Sequence, residues 1–297
     1  MVYQTTENTN IRKEIIDGTL RQIIPKKFVF RQALSVVSTG AWKNTFWREN
    51  TATLTGVTTT GITRNSFKEI GRGAEFPNAS ASWEEVSTRI LKFGAQDVLQ
   101  WEDVLSDNVN IEARTIEKIA EGVASAEDTY IWNTLTENRS PTNIQSVAIT
   151  ATQHWTGASA AIFDNIMQGK EKLKDFNYDT SNVIVFISQR DERAITKWVT
   201  DKGAQFNSIS QGTALNGQVP GLAGVRFVVS PNVTASYALM VIPQRCATLR
   251  ELESLKTDVT DDPGNTRRIR AWEQILVELN EPKAIVLFSN TQGPGTE

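Results

Sequence analysis

Residues 109–135, VNIEARTIEKIAEGVASAEDTYIWNTL, carry the pattern that decides the fold. Apolar or small side chains return at Val109, Ala113, Ile116, Ala120, Val123 and Tyr130, and Ile119, Ala126, Ile131 and Leu135 widen the stripe. Spacings of three and four residues are the period of an amphipathic α-helix. Glu112, Arg114, Glu117, Lys118, Glu121 and Asp128 fill the other faces, and Asp107, Asn108 and Asn110 are cap candidates. The stretch has no proline, and its one glycine, Gly122, costs a helix only about 1 kcal/mol. Such a helix is roughly 40 Å long, well above the common length of about 11–12 residues. In a strand-rich chain it predicts a spine lying along an elongated domain, with an ordinary core helix as the alternative.

Downstream, RSPTN at 139–143 marks a boundary. Beyond it Ile162, Phe163, Ile166, Met167, Lys170, Leu173 and Phe176 form a helical stripe, and NVIVFIS at 182–188 reads as a buried strand. A helix is expected over 190–199, then glycine-rich turns NGQVPGLAG (216–224) and strands VRFVVS (225–230) and YALMVIP (237–243). Together 141–245 read as a compact α/β domain. Long strands return at 245–254, 267–280 and 283–289 around an acidic turn, DVTDDPGN (258–265), and residues 291–297 read as a frayed tail.

Upstream, two strand-like stretches, 41–62 and 83–101, flank the polar segment RNSFKEIGRGAEFPNASAS. Eight threonines between residues 45 and 63 favour strand. Such a pair describes a protruding β-hairpin with a loop longer than a compact domain normally tolerates. Residues 64–82 hold too few apolar side chains to close a core alone, so Phe67, Ile70 and Phe76 would anchor against another subunit. Residues 1–31 read as an arm, extended or partly helical. In it Arg12, Lys13, Arg21, Lys26, Lys27 and Arg31 face Glu7, Glu14 and Asp17, a local excess of three positive charges.

With 297 residues the chain can form two domains, or one with an elaborate insertion. A net charge of −3 argues against nucleic-acid binding driven by total charge. A single cysteine, Cys246, excludes an internal disulfide and a multi-cysteine zinc site. With no long apolar run and no signal segment, the chain is expected in the cytoplasm, away from membranes. His154, the one histidine, lies in a polar loop with no nucleophile motif and reads as a surface bystander. Asp258, Asp261 and Asp262 lack calcium-loop spacing, Arg267, Arg268 and Arg270 read as a charged sheet face, and GLAG at 221–224 lacks the lysine of a phosphate loop. No catalytic, cofactor or metal site is expected.

The order of elements, with the short stretches Gly73–Pro77, Glu102–Asp107, EDTYIW and Gly221–Val241, resembles the major capsid protein of tailed viruses of the bacteriophage type. The resemblance implies the α+β, Hong Kong 97-like fold. It divides the chain into an N-terminal arm and lead-in (1–49), an extended loop (50–95), a peripheral domain (96–140 with 246–290), an axial domain (141–245) and a tail (291–297). It further implies a homo-oligomer of hexamers and pentamers, closing into an icosahedral shell around double-stranded DNA in a virion assembled in the host cytoplasm. Scaffolding, portal or decoration proteins are implied partners, with scaffold supplied separately or by a segment removed before residue 1. Phe67, Lys68, Ile70 and Phe76 would form the loop-tip contact with a neighbouring subunit. Arg12, Lys13, Arg21, Lys26 and Lys27 would form a basic arm on the inner face, touching DNA weakly. Lys68 lies where some members crosslink, but no partner residue can be singled out. The alternatives are an encapsulin-type shell around a cargo enzyme, and an α/β enzyme.

Overall fold

A computed structural model describes residues 29–49, 72–73, 83–100, 102, 111–202, 221–262 and 266–293. In chain order its strands are β1 (Ser35–Ser38), β2 (Lys43–Glu49), β3 (Trp83–Arg89), β4 (Leu91–Gln100), β5 (Gln145–Ala148), β6 (Val183–Ile187), β7 (Val225–Val229), β8 (Tyr237–Val241), β9 (Thr248–Asp262), β10 (Thr266–Glu278) and β11 (Ile285–Ser289). The α-helices are α1 (Ile111–Leu135), α2 (Ile162–Asp175) and α3 (Gln189–Asp201).

Helix α1 is the expected spine. Its Ile116, Ile119, Ala120 and Val123 pack on Leu99, Ile269 and Ala271 of a four-stranded sheet ordered β1-β9-β10-β4. Each fully buried isoleucine contributes about 1.5–3 kcal/mol by leaving water. Along β10 burial alternates strictly from Thr266 to Ile275, so one face meets the helix and the other does not. The end of α1 carries Ile131, Trp132 and Leu135 into a second, larger core.

That core is built on a five-stranded sheet ordered β5-β11-β8-β6-β7. All five residues of β6 are buried, as expected of a central strand. β6 and β7 run parallel, and α3 lies on the connection between them. Ser188 caps α3 by accepting the Asp191 N–H at 3.2 Å. α2 lies close against the sheet at Gly169, where a Cβ would come within 2.5 Å of the Phe288 ring.

Six expectations need correction. The strand expected over 83–101 is two strands, because the Ile90 side chain turns into the core and its N–H donates to the Trp42 carbonyl at 3.0 Å. β3 pairs with β2 while β4 pairs with β10, so the loop boundary expected at 95 falls inside β4. β11, expected with the peripheral segment 246–290, hydrogen-bonds between β5 and β8 in the five-stranded sheet. Thr291 and Gln292 are buried, not frayed: Gln292 Nε2 donates to Asp191 Oδ1 at 3.1 Å and Thr291 Oγ1 to its Oδ2 at 3.3 Å. The lead-in joins the folded body from Val29, with Phe30 fully buried and β1 paired parallel to β9. On α1 Ala126 is exposed, whereas Asp128, assigned from the pattern to the solvated face, is buried.

Gly169→Val should lower the melting temperature. The added carbons enter space held by Phe288 and Met240, and overpacking of this kind costs about 1–3 kcal/mol. An unchanged melt would mean that α2 can lift from the sheet freely.

Candidate assembly surface

β2 and β3 form an antiparallel ribbon in register from Lys43↔Arg89 to Glu49↔Trp83. Side chains alternate between its faces, so Thr45 and Trp47 share one face with Trp83, Glu85 and Ser87. On that face Trp47 is 59% exposed and Trp83 54%, and Trp42 just before the ribbon is 55% exposed. The opposite face turns Phe46 inward, 8% exposed, opposite Val86. An isolated two-stranded ribbon is marginal in water. This one is fastened to the four-stranded sheet: Asn44 Nδ2 donates to Glu278 Oε1, and Arg250 Nε donates to Glu278 Oε2 at 2.9 Å. Arg48 and Glu84 approach across the ribbon at 3.7 Å. Exposed tryptophans on a tethered ribbon make a surface suited to burial against another protein.

A second apolar pair, Phe163 and Met167, stands one turn apart on α2, 38% and 40% exposed. β1 and β4 are the two edges of the four-stranded sheet, and each carries exposed valines: Val36 and Val37 on β1, Val98 on β4.

Where the lead-in meets the spine, polar side chains are buried among apolar ones. The Asp128 carboxylate accepts the Val29 N–H at 3.1 Å and the Phe30 N–H at 3.2 Å. It thereby caps the 3-10 turn Phe30–Ala33, which has no side-chain cap of its own. Burial raises the Asp128 pKa to about 6, against the pull of those two N–H groups. The Phe30 ring lies 4.7 Å from that of Phe186 and 5.6 Å from that of Trp132. Beside it Arg31 reaches Glu273 at 3.2 Å, Glu251 at 3.1 Å and Glu127 at 3.8 Å.

The residues singled out from sequence fall in separate places. Phe67, Lys68, Ile70, Phe76, Arg12, Lys13, Arg21, Lys26 and Lys27 lie outside the described residues. Cys246 is fully buried, its thiol pushed up to about 12 by desolvation. His154 Nδ1 lies 3.2 Å from the Thr156 hydroxyl. Arg267 is not on an open sheet face: it is buried and donates to Asp261 at 3.1 Å. Among the described residues no group of three or more His, Cys, Asp or Glu side chains is arranged to hold a metal ion, and no helix is long and apolar enough to cross a membrane. Trp42, Trp47 and Trp83 were not singled out from sequence, although Trp47 and Trp83 each stand in a strand-like stretch beside glutamates, Glu49 and Glu84.

Comparisons with known proteins bear on this surface. The family model described as phage capsid protein matches residues 83–287. No curated protein matches the sequence. The fold is similar to that of a virus-like particle from Pyrococcus furiosus, at 10% identity and a TM-score of 0.65 over 93% of this chain and 98% of that one. It is similar to the capsid of the cyanophage P-SCSP1u, at 12% identity and a TM-score of 0.62 over 88% of each chain. It is also similar to the capsid of a native GTA particle, at 14% identity and a TM-score of 0.64 over 90% and 91%. With the family matched over most of its length, and the fold shared almost end to end with capsid subunits, the chain belongs to the phage capsid protein family and is a structural, shell-forming subunit of the Hong Kong 97-like fold.

Proposed function

We propose that the subunit assembles as hexamers and pentamers into an icosahedral shell around double-stranded DNA, and that the β2–β3 ribbon is a principal joint between neighbours. The observation that carries the joint is the solvent-facing pair Trp47 and Trp83 on a ribbon held to the body through Glu278. The ribbon leads into residues 50–82, whose Phe67, Lys68, Ile70 and Phe76 extend the same contact. The peripheral domain is then the four-stranded sheet with α1, and the axial domain is the five-stranded sheet with α2 and α3. Arg12, Lys13, Arg21, Lys26 and Lys27 line the inner face and touch DNA weakly. Scaffolding, portal and decoration proteins complete the particle in the host cytoplasm, and the subunit catalyses no reaction. The family match favours this reading over an encapsulin-type shell.

Trp47→Ser combined with Trp83→Ser should leave subunit stability within about 0.5 kcal/mol, since both side chains are more than half exposed. Electron microscopy should then show lost or misdirected shells beside an unchanged thermal melt. Shells of normal size and yield from the double variant would remove the ribbon from the joint.

Particles recovered from infected cells should contain DNA. Contacts from the arm should weaken steeply as salt rises, because each neutralised phosphate releases counterions. Particles holding one folded cargo protein and no nucleic acid would favour the encapsulin-type reading.

A further inference from the structure

Helix α3 turns one stripe toward the loop that carries Trp155. Arg190, Arg193, Ala194, Lys197, Trp198 and Asp201 recur at spacings of three and four, and all of them border a cavity of about 570 Å³. Ile195 and Val199, on another stripe of the helix, lie in the larger core. The facing wall is the loop from Trp155 to Ala158. That loop is fastened at both ends. The Trp155 N–H donates to the Thr291 carbonyl at 2.8 Å, the Gly293 N–H to the Thr156 hydroxyl at 3.2 Å, and the Trp198 indole N–H to the Ala160 carbonyl at 2.9 Å. The cavity is thus built into the fold, and its size is that of a small-molecule site.

Two features of its walls lack a partner within the subunit. Arg190, Arg193 and Lys197 are exposed, and none of them enters an ion pair among the described residues. Like charges at this spacing repel, and a cation in the first turn of a helix opposes its dipole, so the arrangement costs α3 stability. Lys202 joins them, though the C-terminus of α3 accounts for a cation there. Four cations therefore border the cavity with one carboxylate, Asp201, in a chain whose net charge is −3. The second feature is Trp155, which is 2% exposed and whose indole Nε1 is buried with no hydrogen-bond partner among the described residues. An indole N–H only donates, so what it lacks is an acceptor.

Unpaired cations and an unmet donor call for one kind of group, a cluster of negative oxygens. A phosphate carries close to two charges and enough oxygens to serve two guanidinium groups, an ammonium and an N–H together, whereas a carboxylate offers one charge and two oxygens. The unmet N–H belongs to a buried side chain and the cations to exposed ones, so the ligand must be narrow enough to pass between them. That favours a small anion over the side of a DNA duplex. Ala158, Ala194 and the half-buried Trp198 add apolar wall for an organic body. We propose that the cavity between α3 and the Trp155–Ala158 loop binds a phosphate-bearing small molecule, held by Arg190, Arg193, Lys197 and the Trp155 N–H.

All of these residues belong to one chain, so the test does not depend on shell formation. Isothermal titration of the full chain at low salt, with inorganic triphosphate and with ATP, should show micromolar binding of both that weakens as salt rises. Any excess affinity for ATP measures what the apolar walls add. Arg193→Gln combined with Lys197→Gln should weaken binding at least about tenfold, and Trp155→Phe, which keeps an aromatic ring but removes the N–H, about three- to tenfold. Lys118→Gln combined with Lys174→Gln removes the same charge elsewhere on the surface and should leave affinity within about twofold. No binding of either compound, equal losses in the two double variants, or unchanged affinity in Trp155→Phe overturns the proposal. A short DNA duplex or an oligoglutamate that binds more tightly through Arg193 and Lys197 also overturns it, because the site is then a contact for nucleic acid or for protein. Should Trp155→Phe not fold, the two double variants, confined to exposed side chains, decide alone.

Discussion

The contact between one face of α1 and the β4–β10–β9 sheet is the constraint on which the other parts depend. Ile116, Ile119, Ala120 and Val123 must be covered along several turns, and only long strands offer a surface of that length. β9 and β10 supply it as a hairpin of 15 and 13 residues, with β4 laid alongside. The same helix then ends in the larger core, that of the five-stranded sheet, through Trp132 and Leu135. One rod thus fixes the distance and angle between two sheets, which a shell subunit needs if its contacts are to repeat from copy to copy. The lead-in is pinned to this rod by Asp128, and the ribbon to its sheet by Glu278.

Much of this was legible in the sequence because burial dictates periodicity. The stripe of α1 and the continuous apolar run of β6 each announced an element whose type the structure retains. What escaped were features set by distant parts of the chain. Asp128 is polar, and polar residues in a helical pattern read as solvated; its two N–H partners lie 98 and 99 residues away. β11 reads as one more strand after β10, and local sequence says nothing about which sheet it enters. The break at Ile90 leaves no glycine or proline signal, because a single inward-turned side chain and one carbonyl, that of Trp42, make it.

The assembly surface was half legible. A ribbon with a long polar loop was expected, and the two paired strands β2 and β3 are there. The outward tryptophans were not singled out, because composition alone does not say which aromatics face solvent. Their outward position follows from register: Phe46 is needed inside, so the strand's period of two sends Trp47 out. A one-residue slip would exchange the two, burying the joint and exposing the anchor.

The placement of β11 ties the timing of biosynthesis to the competence of the product. β11 bridges β5 and β8, yet it leaves the ribosome well over a hundred residues after β5. Until it emerges, β5 has no partner among the described strands and β8 has one open edge, so the five-stranded sheet stands as fragments. A polypeptide cut before β11 consequently lacks a finished five-stranded sheet. Long-range closure of this kind slows folding, since distant segments must meet before their contacts reward them. The surfaces of the five-stranded sheet are therefore presented only by a polypeptide that includes β11.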